Sequence, residues 1–166
     1  MDPDRYWSSR VRFRYTKDED GNHRPLVNVA LNHVTAGSGP IEFMCLIDTG
    51  SPLTIFPVEI RDAIGLADVS PVMRDHIELS GAKRNGFMHV MDVEVLGNDD
   101  DKISIPAQEV WFVDGPPLPV AGILGGRAMH GLVTVFREAE AIFHIRPLNE
   151  LLVSTCPHCE GGTHPL

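Results

Sequence analysis

The sequence predicts a mostly β domain with one or two short helices. The chain of 166 residues contains 15 glycines and 13 prolines, a content that favours turns and short elements over long helices. Its hydrophobic residues, 43% of the total, are enough for a sizeable core. They fall into short runs separated by turn-forming clusters, as the residues of strands do. The length fits one domain and is too short for two full catalytic lobes.

Charge and cysteine content argue against several classes of protein. Lys and Arg number 14 and Asp and Glu 23, giving a net charge of −9 that argues against a nucleic acid or an anionic membrane surface as partner. No apolar run approaches the roughly 18 residues that span a membrane, and none near the start resembles a signal peptide. The three cysteines do not suggest a disulfide framework, so a reducing, cytoplasmic location is expected.

The chain is expected to divide into three parts. Residues 1–23 are predicted to be an N-terminal extension, residues 24–148 the folded domain, and residues 149–166 a C-terminal tail with a Cys-x-x-Cys sequence. At the start of the domain, residues 26–31 and 41–47 are apolar and β-prone, and a Gly/Ser/Pro-rich break separates them. The second run is apolar almost throughout, which predicts burial on both of its faces.

The middle of the domain is predicted to contain a strand, a short helix and a long hairpin. Residues 53–56 are strand-like, and Pro57 stands where the first turn of a helix tolerates proline, with the helix ending near Gly65. A hairpin follows over residues 76–96, and a polar, glycine-flanked tip at residues 80–86 separates its two strands.

The last part of the domain is predicted to contain further short elements. Residues 103–105 and 110–113 are expected to be two strands because Pro106 stands between them. The remaining predicted elements are a buried strand at 120–124, a second short helix opening at 125–129, and a closing hairpin of 132–136 with 141–145.

One carboxylate stands out for its position. Asp48 follows an apolar strand and precedes Thr49 and Gly50, which places it at the mouth of the core, where an isolated charge is costly. A carboxylate on a tight turn can approach a second carboxylate, and two such groups in contact share one proton. Such a pair can take a proton from water and donate one to a substrate carbonyl. The alternative is a structural role, since Asp also forms ordinary turns at strand ends.

The sequence around Asp48 resembles that of the aspartic proteases, and more closely their single-lobe, retropepsin-like kind. Residues 46–51, Leu-Ile-Asp-Thr-Gly-Ser, are similar to the family's signature, and residues 121–125, Ala-Gly-Ile-Leu-Gly, resemble its later apolar-apolar-Gly motif. The order of the motifs, their spacing of about 75 residues and the hairpin between them also agree. The resemblance covers residues 24–145. It implies a closed, β-barrel-like acid-protease fold of the prokaryotic, cellular type that acts as a homodimer.

The resemblance also implies roles for individual residues. Asp48 is the expected catalytic residue, and Thr49 would stabilise its loop through hydrogen bonds to the opposite loop. Gly50 would let a substrate backbone come close, and Ser51 would bond the outer oxygen of the carboxylate. The expected flap over a bound peptide, with glycines for hinge freedom, consists of Ser80, Gly81, Ala82, Lys83, Arg84, Asn85, Gly86 and Phe87. The second-motif loop consists of Ile123, Leu124 and Gly125.

The single Asp-Thr-Gly sequence implies a second copy of the chain. Each homodimer would place Asp48 opposite its symmetry mate and hydrolyse a peptide or protein substrate without a cofactor. The sequence departs from the family at Gly125, which is followed by Gly126 and Arg127 where the family often has Arg and then Asp or Asn. This departure shifts the basic residue by one position.

Two other functions stay open at the level of sequence. One is a dimeric module of the same fold that binds a peptide or partner protein without cutting it, with the Cys/His tail tethering a metal or the partner. The other is a weak metal site at Cys156, Cys159 and His164, because a two-residue gap lets two thiolates bind one zinc ion. The second cysteine pair of a zinc ribbon is missing from the sequence, and Cys45 is expected to be a buried core residue. Separately, the alternative to a flap at residues 80–86 is an ordinary surface hairpin.

Overall fold

The computed structural model describes residues 11–17, 21–33, 41–97, 101–118, 120–137 and 142–147. These residues form twelve strands and one helix. In chain order they are β1 (Val11–Arg14), β2 (Thr16–Lys17), β3 (His23–Arg24), β4 (Leu26–Asn32), β5 (Ile41–Asp48), β6 (Thr54–Pro57), α1 (Val58–Ala63), β7 (Met73–Leu79), β8 (Ala82–Leu96), β9 (Lys102–Val113), β10 (Gly122–Gly125), β11 (Leu132–Arg137) and β12 (Ile142–Pro147).

Six strands close into a barrel. The main sheet has the order β4-β5-β10-β6-β9-β8-β7, and β4 also pairs with β8, so the first six strands form a ring and β7 lies outside it. Closure removes the exposed edges that an open sheet would present. The prediction of a mostly β, barrel-like fold with short helical content is therefore confirmed.

The barrel interior holds the main hydrophobic core. Alternate residues of each strand point inward, and several of them are fully buried, among them Val29, Cys45, Val93, Phe112 and Leu124. A second, smaller apolar cluster, which we call the hairpin cluster, packs the β7–β8 hairpin onto β6 and β9. Its buried members are Ile55, Ile77, Met88, Trp111 and Val113.

A strand from the predicted N-terminal extension joins the core. β1 pairs antiparallel with β12, which also pairs with β11. Phe13 of β1 is 4% exposed and stacks on Phe143 with 5.0 Å between the ring centroids. No pattern in the sequence predicts this strand, because it is only four residues long and two of them are arginines.

Strand β5 is buried on one face only, so the prediction of burial on both faces is wrong. Cys45 and Ile47 point into the barrel and are buried, whereas Met44 on the opposite face is 49% exposed. Outward-facing residues of a barrel strand are buried only where another layer covers them. Asp48 lies in the outward-facing set of β5, two residues on from Leu46, and is half-buried.

The β7–β8 hairpin turns more tightly than predicted. Ser80 and Gly81 form a two-residue turn with φ values of 50° and 77°, a connection typical of tight hairpins. The strand resumes at once, because Ala82 pairs with Leu79. The predicted tip over residues 80–86 is therefore wrong in extent, and its last five residues belong to β8.

Two other elements also differ from the predictions. Pro106 does not divide β9, since the strand passes it in a bulge where Ala107 has a φ of 53° and donates its N–H to the carboxylate of Asp92 at 2.9 Å. The predicted second helix after Gly125 is a series of turns, such as the one in which Ala128 N–H donates to the Gly125 carbonyl at 3.1 Å.

The helix α1 begins and ends where the sequence predicts. Pro57 is its N-cap residue in an extended conformation, and Gly65 lies beyond its end with a φ of 81°, which suits glycine. Among the described residues, no helix has the length and apolarity needed to cross a membrane.

Arg61 and His89 connect α1 to the barrel. Arg61 donates from Nε to Nε2 of His89 at 3.3 Å and from Nη2 to the carbonyl oxygens of Ala67 and Val69 at 2.9 and 3.2 Å. His89 is 1% exposed, and it must be neutral to accept this bond. Its burial, followed by the charge of Arg61 and the nearby His33, lowers the pKa of His89 from 6.5 to about 4.

Acid is expected to destabilise the fold through His89. The unfolded chain binds this proton near pH 6.5 and the folded chain only near pH 4, so the contribution is fully present above pH 6.5 and is lost as the pH falls towards 4. The difference corresponds to about 3 kcal/mol of unfolding free energy. Urea denaturation at pH 7 and 4.5 should show most of this loss in the wild type.

The variant His89→Gln should lose much less stability between these two pH values. The control His76→Gln, at an exposed position of β7, should follow the wild type. An equal acid loss in His89→Gln and wild type would contradict the assignment to His89.

Candidate active site

The two motifs identified in the sequence lie side by side. β10 pairs in parallel with β5, which places Leu124 beside Ile47 and Gly125 beside Asp48. On its other side β10 pairs antiparallel with β6, where Ile123 lies opposite Ile55. The three predicted second-motif residues thus form the strand next to the Asp48 loop.

Asp48 ends β5 at a tight turn. The N–H of Ser51 donates to the backbone carbonyl of Asp48 at 3.1 Å, and the N–H of Gly50 donates to its side-chain Oδ1 at 2.9 Å. The carboxylate is therefore held over its own turn by a charge-assisted hydrogen bond. Thr49 and Gly50 are exposed at the tip of the loop.

The hydroxyl group of Ser51 has a different partner from the one the resemblance implies. It donates to the carbonyl oxygen of Leu53 at 3.0 Å. In this chain Ser51 therefore stabilises the turn that leads from Asp48 into β6.

Backbone groups of the second motif fix that turn from the other side. Gly126 N–H donates to the Ser51 carbonyl at 2.7 Å. Gly125 N–H donates to the hydroxyl of Thr54 at 3.2 Å, and Thr54 is 1% exposed. The role of Thr54 was missed in the sequence, where its signal was a polar residue between the apolar Leu53 and Ile55.

Close backbone packing explains the glycine that ends the second motif. A Cβ atom at Gly125 would overlap the carbonyl group of Leu53 and lie 2.9 Å from the carbonyl oxygen of Ser51. At the neighbouring Gly126 the closest atoms would be the carbonyl oxygens of Thr49 and Ser51 at 3.4 and 3.5 Å, an ordinary contact. Only Gly125 is therefore required for steric reasons.

The predicted flap residues lie at the turn and along β8. Lys83 and Asn85 are exposed, and Gly86 is buried. A Cβ at Gly86 would lie 2.7 Å from Ile77 and 2.9 Å from Trp111, so this glycine serves close packing. Phe87 lies beneath the guanidinium groups of Arg61 and Arg74, each within about 5.3 Å of the ring centroid.

Arg127, the basic residue displaced by one position in the sequence, pairs within its own chain. Its Nη1 lies 3.2 Å from Oε2 of Glu109, and both side chains are at least half exposed. An exposed pair of this kind contributes little to stability.

The predicted metal ligands Cys156, Cys159 and His164 lie outside the described residues. Within the part of the chain that is described, no group of three or more His, Cys, Asp or Glu side chains could hold a metal ion. Cys45 is buried, and burial raises the pKa of its thiol to about 12. It stays a protonated core residue, as predicted.

No protein-family model matches the chain, and no curated protein matches it in sequence. A retropepsin-like aspartic protease from Rickettsia conorii superposes with a TM-score of 0.50 and 11% identity, over 82% of this chain and 90% of that one. The retroviral protease-like domain of Ddi1 from Leishmania major gives 0.43 and 14%, over 64% and 75%.

A larger plant protein also shares the architecture. Basic 7S globulin from soybean superposes with a TM-score of 0.55 and 14% identity over 92% of this chain, which spans 46% of that protein. At these identities the likeness concerns the fold. The chain has the retropepsin-like fold, which the two sequence motifs predict.

Replacement of Gly125 tests the packing around Asp48. Gly125→Ala should lower the unfolding free energy by at least about 2 kcal/mol, because the added methyl group meets backbone that cannot move aside. Gly126→Ala, the matched control one residue on, should change it by less than about 1 kcal/mol. Chemical denaturation at pH 7 measures both, and similar losses in the two variants would contradict the packing argument.

Proposed function

We propose that this protein is an aspartic endopeptidase that hydrolyses peptide bonds as a homodimer. The observation that carries the proposal is the Asp48 loop. Its carboxylate ends a strand of a retropepsin-like barrel, accepts the N–H of Gly50, and belongs to a turn held by the backbone of the second motif. A carboxylate fixed in this way is pre-organised for acid and base chemistry.

A second copy would complete the site. Asp-Thr-Gly occurs once in the sequence, so the partner carboxylate would be the Asp48 of another chain. Thr49 and Gly50 are exposed in the single chain, which leaves the tip of the loop accessible to its symmetry mate. Two equivalent loops that meet on a twofold axis make an isologous contact, the commonest form of dimer.

The proposed reaction uses water and the two carboxylates. One carboxylate is ionised and takes a proton from water, whose oxygen attacks the peptide carbonyl carbon. The other is protonated and donates its proton to the carbonyl oxygen, which gives a tetrahedral intermediate. On collapse of the intermediate, the carboxylate that is now ionised takes a proton from one hydroxyl group, the carbonyl re-forms and the C–N bond breaks. The carboxyl group protonated by water gives its proton to the leaving amine. The pair then again shares one proton, as two carboxylates in contact do.

Replacement of Asp48 tests the chemistry. Asp48→Asn should lower peptide cleavage at least about a hundredfold between pH 4 and 7, because the amide cannot act as a base. The measurement is cleavage of a peptide library with and without pepstatin, and the products are identified by mass spectrometry. Asp68→Asn, a change at an exposed carboxylate after α1, is the control and should retain wild-type activity.

The outcomes separate the two functions considered above. Equal cleavage by Asp48→Asn and wild type would exclude Asp48 as the catalytic residue. Peptide binding without cleavage by the wild type would favour the non-catalytic binding module.

The charge of the chain makes a separate prediction about assembly. Each copy carries −9 at pH 7, and the isoelectric point is near 5.2, so self-repulsion between copies shrinks as the pH falls. Sedimentation velocity should show stronger association at pH 5 than at pH 8, and salt near 1 M should reduce the difference by screening. Circular dichroism at both pH values controls for unfolding. Stronger association at pH 8 would contradict the prediction.

A further inference from the structure

The β7–β8 hairpin leaves the barrel at a defined point. The last pair between β8 and β9 joins Gly86 to Val113, where β9 ends. Beyond it, the hairpin continues through four more pairs, from His76–Asn85 to Leu79–Ala82, in which β8 pairs with β7 alone. The outer hairpin would therefore be supported from one side only, unless the residues after Val113 contact it.

Asp114, the next residue, makes that contact with Asn85. The N–H of Asn85 donates to Oδ1 of Asp114 at 2.8 Å, and Nδ2 of Asn85 donates to Oδ2 at 2.6 Å. The N–H of Asp114 donates in return to the carbonyl of Asn85 at 3.0 Å. We call these three bonds the Asp114 clamp. Two of them are charge-assisted, and these are stronger than bonds between neutral groups.

A second contact joins Arg84, the residue before Asn85, to Pro116, two residues after Asp114. Arg84 donates from Nη1 to the carbonyl oxygen of Pro116 at 2.8 Å. Its aliphatic stem lies against Gly115, where a Cβ would be 3.5 Å from Arg84 Cδ. Gly115 has a φ of 105°, a conformation that suits glycine. The Asp-Gly pair after β9 thus supplies both the carboxylate and the bend.

The clamp connects the hairpin to the segment that precedes the second motif. Asp114 follows β9, and the chain then passes through Leu118 to β10, whose end fixes the Asp48 loop. Leu118 itself packs on the hairpin cluster. The outer hairpin and the Asp48 loop are therefore linked through one short segment of chain.

We propose that Asp114 is a positioning residue that fixes the outer hairpin at Asn85 and confines its movement to the pairs beyond that residue. The proposal rests on the proposed function in one respect: the hairpin closes over a peptide bound at Asp48. Fixation at Asn85 keeps the closed arrangement populated before the peptide arrives. Loss of the clamp lowers the fraction of molecules that are competent to bind, and the apparent dissociation constant for the peptide rises by the inverse of that fraction.

An exchange of the two clamp residues provides the test. Asn85→Asp alone sets two carboxylates opposite each other and should open the clamp. The double variant Asn85→Asp with Asp114→Asn exchanges donor and acceptor and restores the bond between the side chains. It also leaves the Oδ1 of Asn at position 114 to accept the N–H of residue 85. A merely destabilising change would not be rescued in this way.

Amide hydrogen exchange followed by NMR at pH 7 is the first measurement. In Asn85→Asp and in Asp114→Ala, the amides of residues 83–87 and 114 should exchange about tenfold faster than in the wild type. The double variant should return to within about threefold. The control Lys83→Gln, at an exposed neighbouring position, should exchange as the wild type does.

Peptide kinetics are the second measurement. Asp114→Ala should raise KM about tenfold with a much smaller change in kcat, and the double variant should recover KM. Unchanged exchange in Asn85→Asp and Asp114→Ala would overturn the clamp, whether or not the protein cuts peptides. Faster exchange with an unchanged KM would overturn the positioning role. Absence of cleavage by the wild type would instead count against the proposed function, and the exchange data would still decide the clamp.

Discussion

The close approach of two backbones determines how this protein is built around Asp48. β10 runs beside β5, and its last residue, Gly125, lies against the carbonyl group of Leu53, where no side chain fits. The approach brings the N–H of Gly126 to 2.7 Å from the carbonyl oxygen of Ser51, so the turn after Asp48 is held from a strand about 75 residues further along the chain. Because β10 reaches this place only as a member of the ring, the position of the carboxylate depends on closure of the whole barrel.

Local sequence patterns predict elements where an apolar run ends at a turn cluster, as at Asp48 and before Gly65. These patterns fail where contacts with residues distant in the sequence determine the local structure. Pro106 does not end β9, because the pairing with β8 passes over it in a bulge that needs no amide hydrogen from it. Periodicity cannot say which strands become neighbours. The parallel pairing of β5 with β10 could therefore be predicted only from the two motifs taken together, and β1 could not be predicted from the sequence.

The carboxylates of Asp48 and Asp114 show the same limit of prediction from sequence. Each directly ends or follows a strand and has a glycine close behind it. Asp48 accepts a bond from its own turn, which is a local arrangement and is visible in the sequence as Asp-Thr-Gly. Asp114 accepts both bonds from Asn85, 29 residues earlier in the chain, and nothing in its own neighbourhood indicates that partner. Thr54 is similar, since its acceptor role depends on Gly125, 71 residues later.

Acid has opposing effects on the proposed active site and dimer, which it favours, and on the fold, which it destabilises. Moderate acidity favours the proposed pair of Asp48 carboxylates, which would share one proton. It would also favour the proposed dimer, because it reduces the repulsion between two copies that each carry −9 at pH 7. The fold requires His89 without its second proton, because Arg61 donates to Nε2 and a guanidinium group does not give up its charge to relieve the conflict. His89, which lies between α1 and the barrel, therefore limits the stability of the fold in acid, although it takes no part in the proposed chemistry.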